Sequence, residues 1–284
     1  MRARIVTVTA GLLLSVGLDP TASSQGAPAV AKVDVVEVLV SRLAVDQYKA
    51  TLKALTQFGD RRQGTKRNQD AIDWIEAQLQ AVGCTTTGRL DYVFDPAPRR
   101  GGRRGPGELN PAESTPTGGR IGRNGSGPGG SSIFGYRRRT GVNTDPLAQP
   151  DGLLRELNSE QTTPGPRQEV YCTKVGTTHP EEMYIIGAHM DGHGWGEAAN
   201  DDGSGTALVM ELARVFNAPD VETDRSIRFV LWNNEETGLN GSRAYVEQRQ
   251  TLQGREDPPG SGRYPEPRWL GMIQHDMMLF DHGA

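Results

Sequence analysis

The chain has 284 residues, which is enough for one large α/β domain or two small ones. It contains 31 Lys and Arg residues against 35 Asp and Glu residues, a net charge of −4, which excludes a globally basic nucleic-acid-binding protein. Two cysteines exclude a zinc site made of cysteines alone and a dense disulfide framework.

The N-terminal segment has the order of a secretory signal peptide. Arg2 and Arg4 precede a mostly apolar stretch at 5–18, and small residues follow it. We therefore predict a signal peptide over residues 1–24, with cleavage at the latest near Ala31, and a secreted or periplasmic protein. The apolar stretch is short and interrupted, so we expect no stable membrane anchor.

The two cysteines leave two interpretations open. Export makes a disulfide between Cys84 and Cys172 chemically allowed, because disulfides persist in oxidising compartments. Two buried free thiols are the alternative, and the sequence does not decide between them.

Helices and apolar strands alternate along most of the chain. Spacings of three and four between apolar residues predict a helix over 34–58 and a second helix that ends at Gly83. Further strands and helices follow in chain order: strands at 85–94, 169–175, 183–188, 227–232 and 269–273, and helices at 204–216 and 241–250. This alternation predicts a layered α/β fold with a mainly parallel sheet.

Residues 97–166 interrupt this pattern. The part from 97 to 140 holds nine arginines and two glutamates among many glycines, prolines and serines. A segment with so few apolar residues buries little surface, so we expect a largely disordered insertion within one domain spanning 33–284. Arginine-glycine tracts can bind anionic polymers, but few aromatic residues are interleaved here. We therefore favour a solvated loop and expect no nucleic-acid partner.

Ionisable residues follow three of the predicted strands. His189 and Asp191 follow one, Glu235 and Glu236 follow the next, and Asp276 follows the last. Sites in open α/β sheets form at the carboxyl ends of the strands. Carboxylates there are costly to leave unpaired, and one imidazole with several carboxylates suits zinc, with manganese or cobalt as substitutes. The sequence therefore predicts a metal site at this edge.

Each of these features has a simpler interpretation by itself. His189 could be an ordinary buried histidine, and Glu235 and Glu236 could be a solvated pair. Asp201 and Asp202 could form a turn and a helix N-cap. The combination in this order is what favours a metal centre.

The motifs GAHMD, ANDDGSG, NNEETGLNGS and HDM together resemble the di-zinc aminopeptidase family of clan MH, of the bacterial leucyl aminopeptidase type. The resemblance covers about residues 36–94 and 168–284 and omits the insertion. It implies a three-layer α/β/α sandwich around a mixed, mainly parallel sheet, as in zinc exopeptidases. It also implies an aminopeptidase that binds two zinc ions and acts on the N-termini of peptides or proteins.

The resemblance implies a metal-binding role for four residues. His189 and Asp276 would bind one zinc ion, Glu236 would bind the other, and Asp201 would bridge the two. In the family, the peptide bond between Asp201 and Asp202 is typically cis.

Two further residues would support the chemistry. Glu235 would be the general base that takes a proton from a water bridging the two ions and passes it to the leaving amine. Asp191 would orient His189 from behind the metal.

One ligand of the family has no match here. The family places a histidine well downstream of the Asp276 position on the Glu236 ion, and only His275 and His282 lie nearby. We therefore expect a fold that is incomplete at its C-terminus, and one incomplete zinc site, as in a fragment of a longer enzyme. Three alternatives stay open: an inactive binding module, a glutaminyl-cyclase-like enzyme with one zinc ion, and a carboxypeptidase relative.

Overall fold

The computed structural model of the protein describes residues 34–95, 146 and 149–279. The α-helices among these residues are α1 Val35–Ser41, α2 Val45–Thr56, α3 Lys66–Ala81, α4 Gly152–Asn158, α5 Gly205–Phe216 and α6 Asn240–Arg249. The strands among them are β1 Thr87–Phe94, β2 Gly165–Lys174, β3 His179–His189, β4 Arg225–Trp232 and β5 Arg268–Gln274. The predicted signal peptide, residues 97–145 and 147–148 of the predicted insertion, and His282 lie outside the described residues.

The five strands form one sheet in the order β1-β2-β4-β3-β5. Strand β3 pairs in parallel with β4 and β5, whereas β2 pairs antiparallel with both β1 and β4. The sheet is therefore mixed, and only β2 runs against the other described strands. The carboxyl ends of β3, β4 and β5 consequently lie at one edge.

Helices cover both faces of the sheet. Phe229 and Leu231 of β4 pack in a core with apolar residues of α2, α3 and α5. Val230 and Trp232 point to the opposite face and pack with Tyr245 of α6. This alternation along one strand places the sheet between two helical layers, so the predicted three-layer α/β/α fold is confirmed.

The prediction of one helix over 34–58 is wrong, because the chain breaks between α1 and α2. Ala44 is extended, and its N–H donates to Glu211 Oε1 at 2.7 Å. Arg214 Nη2 donates to the carbonyl of Arg42 at 2.6 Å. Contacts from α5 therefore satisfy the backbone at the break, and apolar spacing within 34–58 cannot reveal them.

Helix α4 lies inside the segment predicted as an insertion. Asp151 caps it, since its carboxylate accepts from the N–H groups of Leu153 and Leu154. Asn158 at its end is buried and accepts from the N–H of Asp60 at 2.9 Å. The helix has seven residues, too few for a helical period to stand out in the sequence.

The cysteines are bonded to each other. The disulfide Cys84–Cys172 has a Cα–Cα distance of 6.1 Å and joins the segment after α3 to β2. Of the two interpretations that the sequence left open, the structure has the disulfide.

No helix among the described residues has the length and apolar character that crossing a membrane requires.

Candidate metal centre

Three side chains meet at the predicted edge of the sheet. His189 ends β3, Asp201 precedes α5, and Asp276 follows β5. One ligand atom from each lies within 4.8 Å of the others. His189 Nε2 is 3.2 Å from Asp201 Oδ1 and 3.8 Å from Asp276 Oδ1. These distances leave room for one cation among the three groups.

A backbone carbonyl group on the side away from the Asp201 and Asp276 carboxylates orients the ring of His189. Its Nδ1 lies 3.0 Å from the carbonyl oxygen of Asp191, and only an N–H can donate to that acceptor. We assign a proton to Nδ1 on this basis, so that in the neutral, metal-binding form of the ring the Nε2 lone pair points toward Asp201 and Asp276. A neutral imidazole with two carboxylates is a donor set that zinc binds, so the residues fit the implied metal.

Asp191 also fixes the loop after β4. Its carboxylate accepts from the N–H groups of Glu235 at 3.1 Å and Glu236 at 3.4 Å. The backbone carbonyl of Asp191 is closer to His189 Nδ1 than its carboxylate, which is 3.6 Å away. The residue predicted to orient the histidine therefore contacts both predicted glutamates as well.

The two glutamates face different surroundings. Glu235 Oε2 is 4.0 Å from His189 Nε2, and its side chain is 33% exposed. Glu236 is more deeply buried, and its Oε2 lies 3.6 Å from His193 Nδ1. His193 is not singled out from the sequence, although it lies two positions after Asp191 and the GAHMD motif.

Burial and neighbouring carboxylates disfavour a negative charge on both glutamates at this edge. Burial raises the pKa of Glu236 well above its usual range, and the carboxylates of Asp201 and Asp191 raise it further. Burial likewise raises the pKa of Glu235. For His189, burial opposes the charged form, but hydrogen bonds to Asp191 and other carboxylates outweigh it and raise its pKa well above the usual value. A divalent cation would relieve this repulsion.

Asp202 connects three elements around the site. Its carboxylate accepts from the N–H groups of His189 at 3.2 Å, Gly205 at 2.7 Å and Met277 at 3.3 Å. The peptide bond that joins it to Asp201 is cis, as the resemblance implied. Burial raises its pKa to about 7.

Two more side chains of the ANDDGSG motif hold the segment that follows β5. Ser204 Oγ accepts from the N–H of Met278 at 2.7 Å, and Asn200 Oδ1 accepts from the N–H of Leu279 at 2.9 Å. The motif thus binds the backbone directly after Asp276. Sequence reasoning missed this anchoring role, because the contacts span more than seventy positions.

The six predicted residues therefore share one edge of the sheet. His189, Asp201 and Asp276 form the compact group within 4.8 Å, while Glu235, Glu236 and Asp191 adjoin it. The N–H of His275 donates to the carbonyl of Gly187 at 2.8 Å and continues the parallel pairing of β5 with β3.

Comparisons with known proteins identify the same region. Residues 169–260 match the sequence profile of Peptidase family M28. This span contains every predicted site residue except Asp276.

Two curated relatives and one solved structure illustrate the similarity. Aminopeptidase YwaD of Bacillus subtilis is 44% identical over 69 residues, which are 24% of this chain and 14% of that protein. Carboxypeptidase Q of Xenopus laevis is 34% identical over 73 residues, which are 26% of this chain and 16% of that protein. The structure of an aminopeptidase from Aneurinibacillus sp. strain AM-1 has a TM-score of 0.48 and 20% identity, over 84% of this chain and 71% of that one.

The matches to these curated relatives span about a seventh of the relatives' length. They therefore show similarity over one segment of each protein. The resemblance predicted from the motifs is confirmed for that segment: residues 169–260 are similar in sequence to Peptidase family M28.

Proposed function

We propose that this protein is an exported zinc-dependent aminopeptidase that hydrolyses the N-terminal peptide bond of peptides or proteins. The observation that carries the proposal is the group of His189, Asp201 and Asp276, whose ligand atoms lie within 4.8 Å of one another. The match to Peptidase family M28 over the segment that supplies most of the site supports it.

In this proposal four side chains would hold zinc. His189, Asp201 and Asp276 would hold one ion, and Asp201 with Glu236 would hold the second. Bound zinc supplies Lewis acidity toward a water molecule and toward the carbonyl of the scissile peptide bond. The backbone carbonyl of Asp191 keeps His189 in the tautomer that presents Nε2.

Glu235 is the proposed general base. Its carboxylate lies beside the ligand group and is a third exposed, whereas His189 is 1% exposed, so substrate and solvent can reach Glu235. Burial raises its pKa, which makes the carboxylate a better proton acceptor near neutral pH. It accepts the proton of the attacking water and then delivers it to the leaving nitrogen. The Asp191 carboxylate holds the backbone N–H of Glu235 in place.

The variant Glu235→Gln tests this assignment, because glutamine keeps the size of the side chain but cannot accept the proton. We expect turnover of an aminoacyl p-nitroanilide to fall by about 10²–10⁴-fold while zinc per chain, measured by elemental analysis, stays at the wild-type level. Loss of zinc together with activity would show that Glu235 is a ligand. Wild-type protein without bound zinc would favour the inactive binding module instead.

The end of the peptide that is cleaved needs its own test, because the matched segment is shared with an aminopeptidase and a carboxypeptidase. We expect cleavage of a peptide with a free N-terminus and an amidated C-terminus. N-acetylation of the same peptide should abolish the cleavage. Cleavage of the N-acetylated peptide with a free C-terminus would refute the aminopeptidase assignment.

Export is supported by the signal-like N-terminus and by the disulfide, which requires an oxidising compartment. We expect the protein in the extracytoplasmic fraction of cells that produce it, with a new N-terminus between residues 24 and 32. An intact N-terminus on cytoplasmic protein would refute this.

A further inference from the structure

Arg61 is a buried cation that the proposed chemistry does not use. Arg61 is 0% exposed and lies in the loop between α2 and α3. Among the described residues, no carboxylate comes within ion-pairing distance of it, although Asp60, Asp191 and Asp202 are near enough to favour its charge. An arginine buried in this way is expensive unless its N–H groups are all bonded.

Backbone carbonyl groups satisfy the Arg61 guanidinium. Nε donates to Met190 O at 2.8 Å, Nη1 donates to Glu197 O at 2.9 Å, and Nη2 donates to Ala198 O at 2.8 Å. Nη1 also lies 3.3 Å from the carbonyl oxygen of Leu55, at the end of α2. One planar group therefore joins three separate segments of the chain.

Two of these segments carry the candidate ligands. Met190 directly follows His189, and Ala198 lies three positions before Asp201. Glu197 and Ala198 have φ values of 52° and 53°, in the left-handed region that residues with a side chain rarely adopt. The segment needs outside support to keep this path, and the Arg61 guanidinium binds the carbonyl groups of both residues.

The surroundings leave the guanidinium little room to move. A Cβ placed on Gly203 would come within 3.2 Å of Arg61 Nη2, so the backbone just beyond Asp202 packs directly against it. The backbone carbonyl of Arg61 accepts from Asn68 Nδ2 at 2.7 Å. Both ends of the Arg61 residue are therefore fixed.

We propose that Arg61 is a positioning residue for metal binding, which sets the distance between His189 and Asp201 by binding the backbone after one and before the other. This inference rests on the proposed function, since it assumes that those two residues bind zinc. The planar fork of an arginine can bond several carbonyl groups at once. The point charge of a lysine on a flexible stem cannot reproduce that arrangement.

The test is a Zn²⁺ titration of the full chain, with a chromophoric chelator as competitor. We expect Arg61→Gln and Arg61→Lys each to weaken zinc binding by about 10–100-fold, the range for groups that orient metal ligands. The lysine variant keeps the positive charge. A loss of zinc affinity in this variant would therefore come from the lost hydrogen-bond geometry and not from a loss of charge. Circular dichroism shows whether each variant is folded. If the glutamine variant does not fold, the zinc affinity of the lysine variant tests the inference.

The matched control removes another buried arginine, Arg228, which pairs with Glu266 and binds Thr173 Oγ1. The double variant Arg228→Gln/Glu266→Gln avoids leaving one charge unpaired. We expect it to lower the unfolding temperature while leaving zinc affinity unchanged. If the Arg61 variants bind zinc as tightly as the control, the inference is overturned and the proposed function stands. If the wild-type chain binds no zinc, the proposed function fails and the inference fails with it.

Discussion

The disulfide should be a major source of stability. Cys84 and Cys172 are 88 positions apart, so the bond closes a long loop in the unfolded chain. In the chain-entropy treatment, a loop of that length lowers the entropy of the unfolded state enough to stabilise the fold by about 4.6 kcal/mol at 25 °C. Domains are typically stable by about 5–15 kcal/mol, so reduction should bring this one close to unfolding.

The perturbation is made in two ways. Wild-type protein is compared with and without a reductant, and the variant Cys84→Ala/Cys172→Ala is compared with both. Both cysteines are fully buried, so the alanine variant also loses packing around two sulfur atoms and should be less stable than reduced wild type by about 1 kcal/mol or more.

Urea unfolding followed by tryptophan fluorescence provides the free energies. We expect the midpoint to fall on reduction and the slope to increase, because an uncrosslinked unfolded chain exposes more surface. Free-thiol titration in denaturant confirms the redox state of each sample. Equal midpoints for oxidised and reduced protein would refute the loop-entropy reasoning, and two free thiols in protein never exposed to reductant would refute the bond itself.

Two further changes test the site and its surroundings. Replacing Asp201 by Ala should reduce zinc per chain at both proposed positions, because Asp201 is the proposed bridge; full zinc content in elemental analysis would contradict that role. Replacing Glu169 by Gln should stabilise the fold increasingly from about pH 4.5 to 8, since burial raises the pKa of Glu169 from 4.5 to about 8. Over that range the unfolded wild-type chain releases the proton that the folded chain retains, so wild-type stability falls, whereas glutamine has no proton to release. Urea unfolding at several pH values measures this difference, with the exposed Glu247→Gln as control; a pH-independent difference would contradict the burial argument.

The parts of the fold that depend on local patterns were predictable. The run from Met183 to Ala188 is continuously apolar, which identifies the core of β3, and the strands β4 and β5 were recognised in the same way. Parallel pairing of these strands then brings their carboxyl ends together, so the edge that carries His189 and Asp276 followed from the sequence.

The parts that depend on contacts distant in sequence were not predictable. The break between α1 and α2 is held by Glu211 and Arg214, more than 160 positions away. Arg61 is one of two adjacent arginines in the loop between α2 and α3, and nothing local shows that it is the fully buried one. Its bonds to Met190 and Ala198 exist only once the layers are assembled.

Because β2 runs antiparallel to β4, the N-terminal end of β2 lies at the same edge of the sheet as the candidate site. The chain that arrives there is already attached to the loop before Asp201, because Gln149 Nε2 and Asn158 Nδ2 both donate to Glu197 Oε1, at 2.6 and 3.3 Å. The described end of the connection between β1 and β2, residues 149–164, therefore contacts the rim of the site although it lies outside the sheet. Substitutions within residues 149–164 would therefore change the surroundings of Asp201 while the strands keep their register.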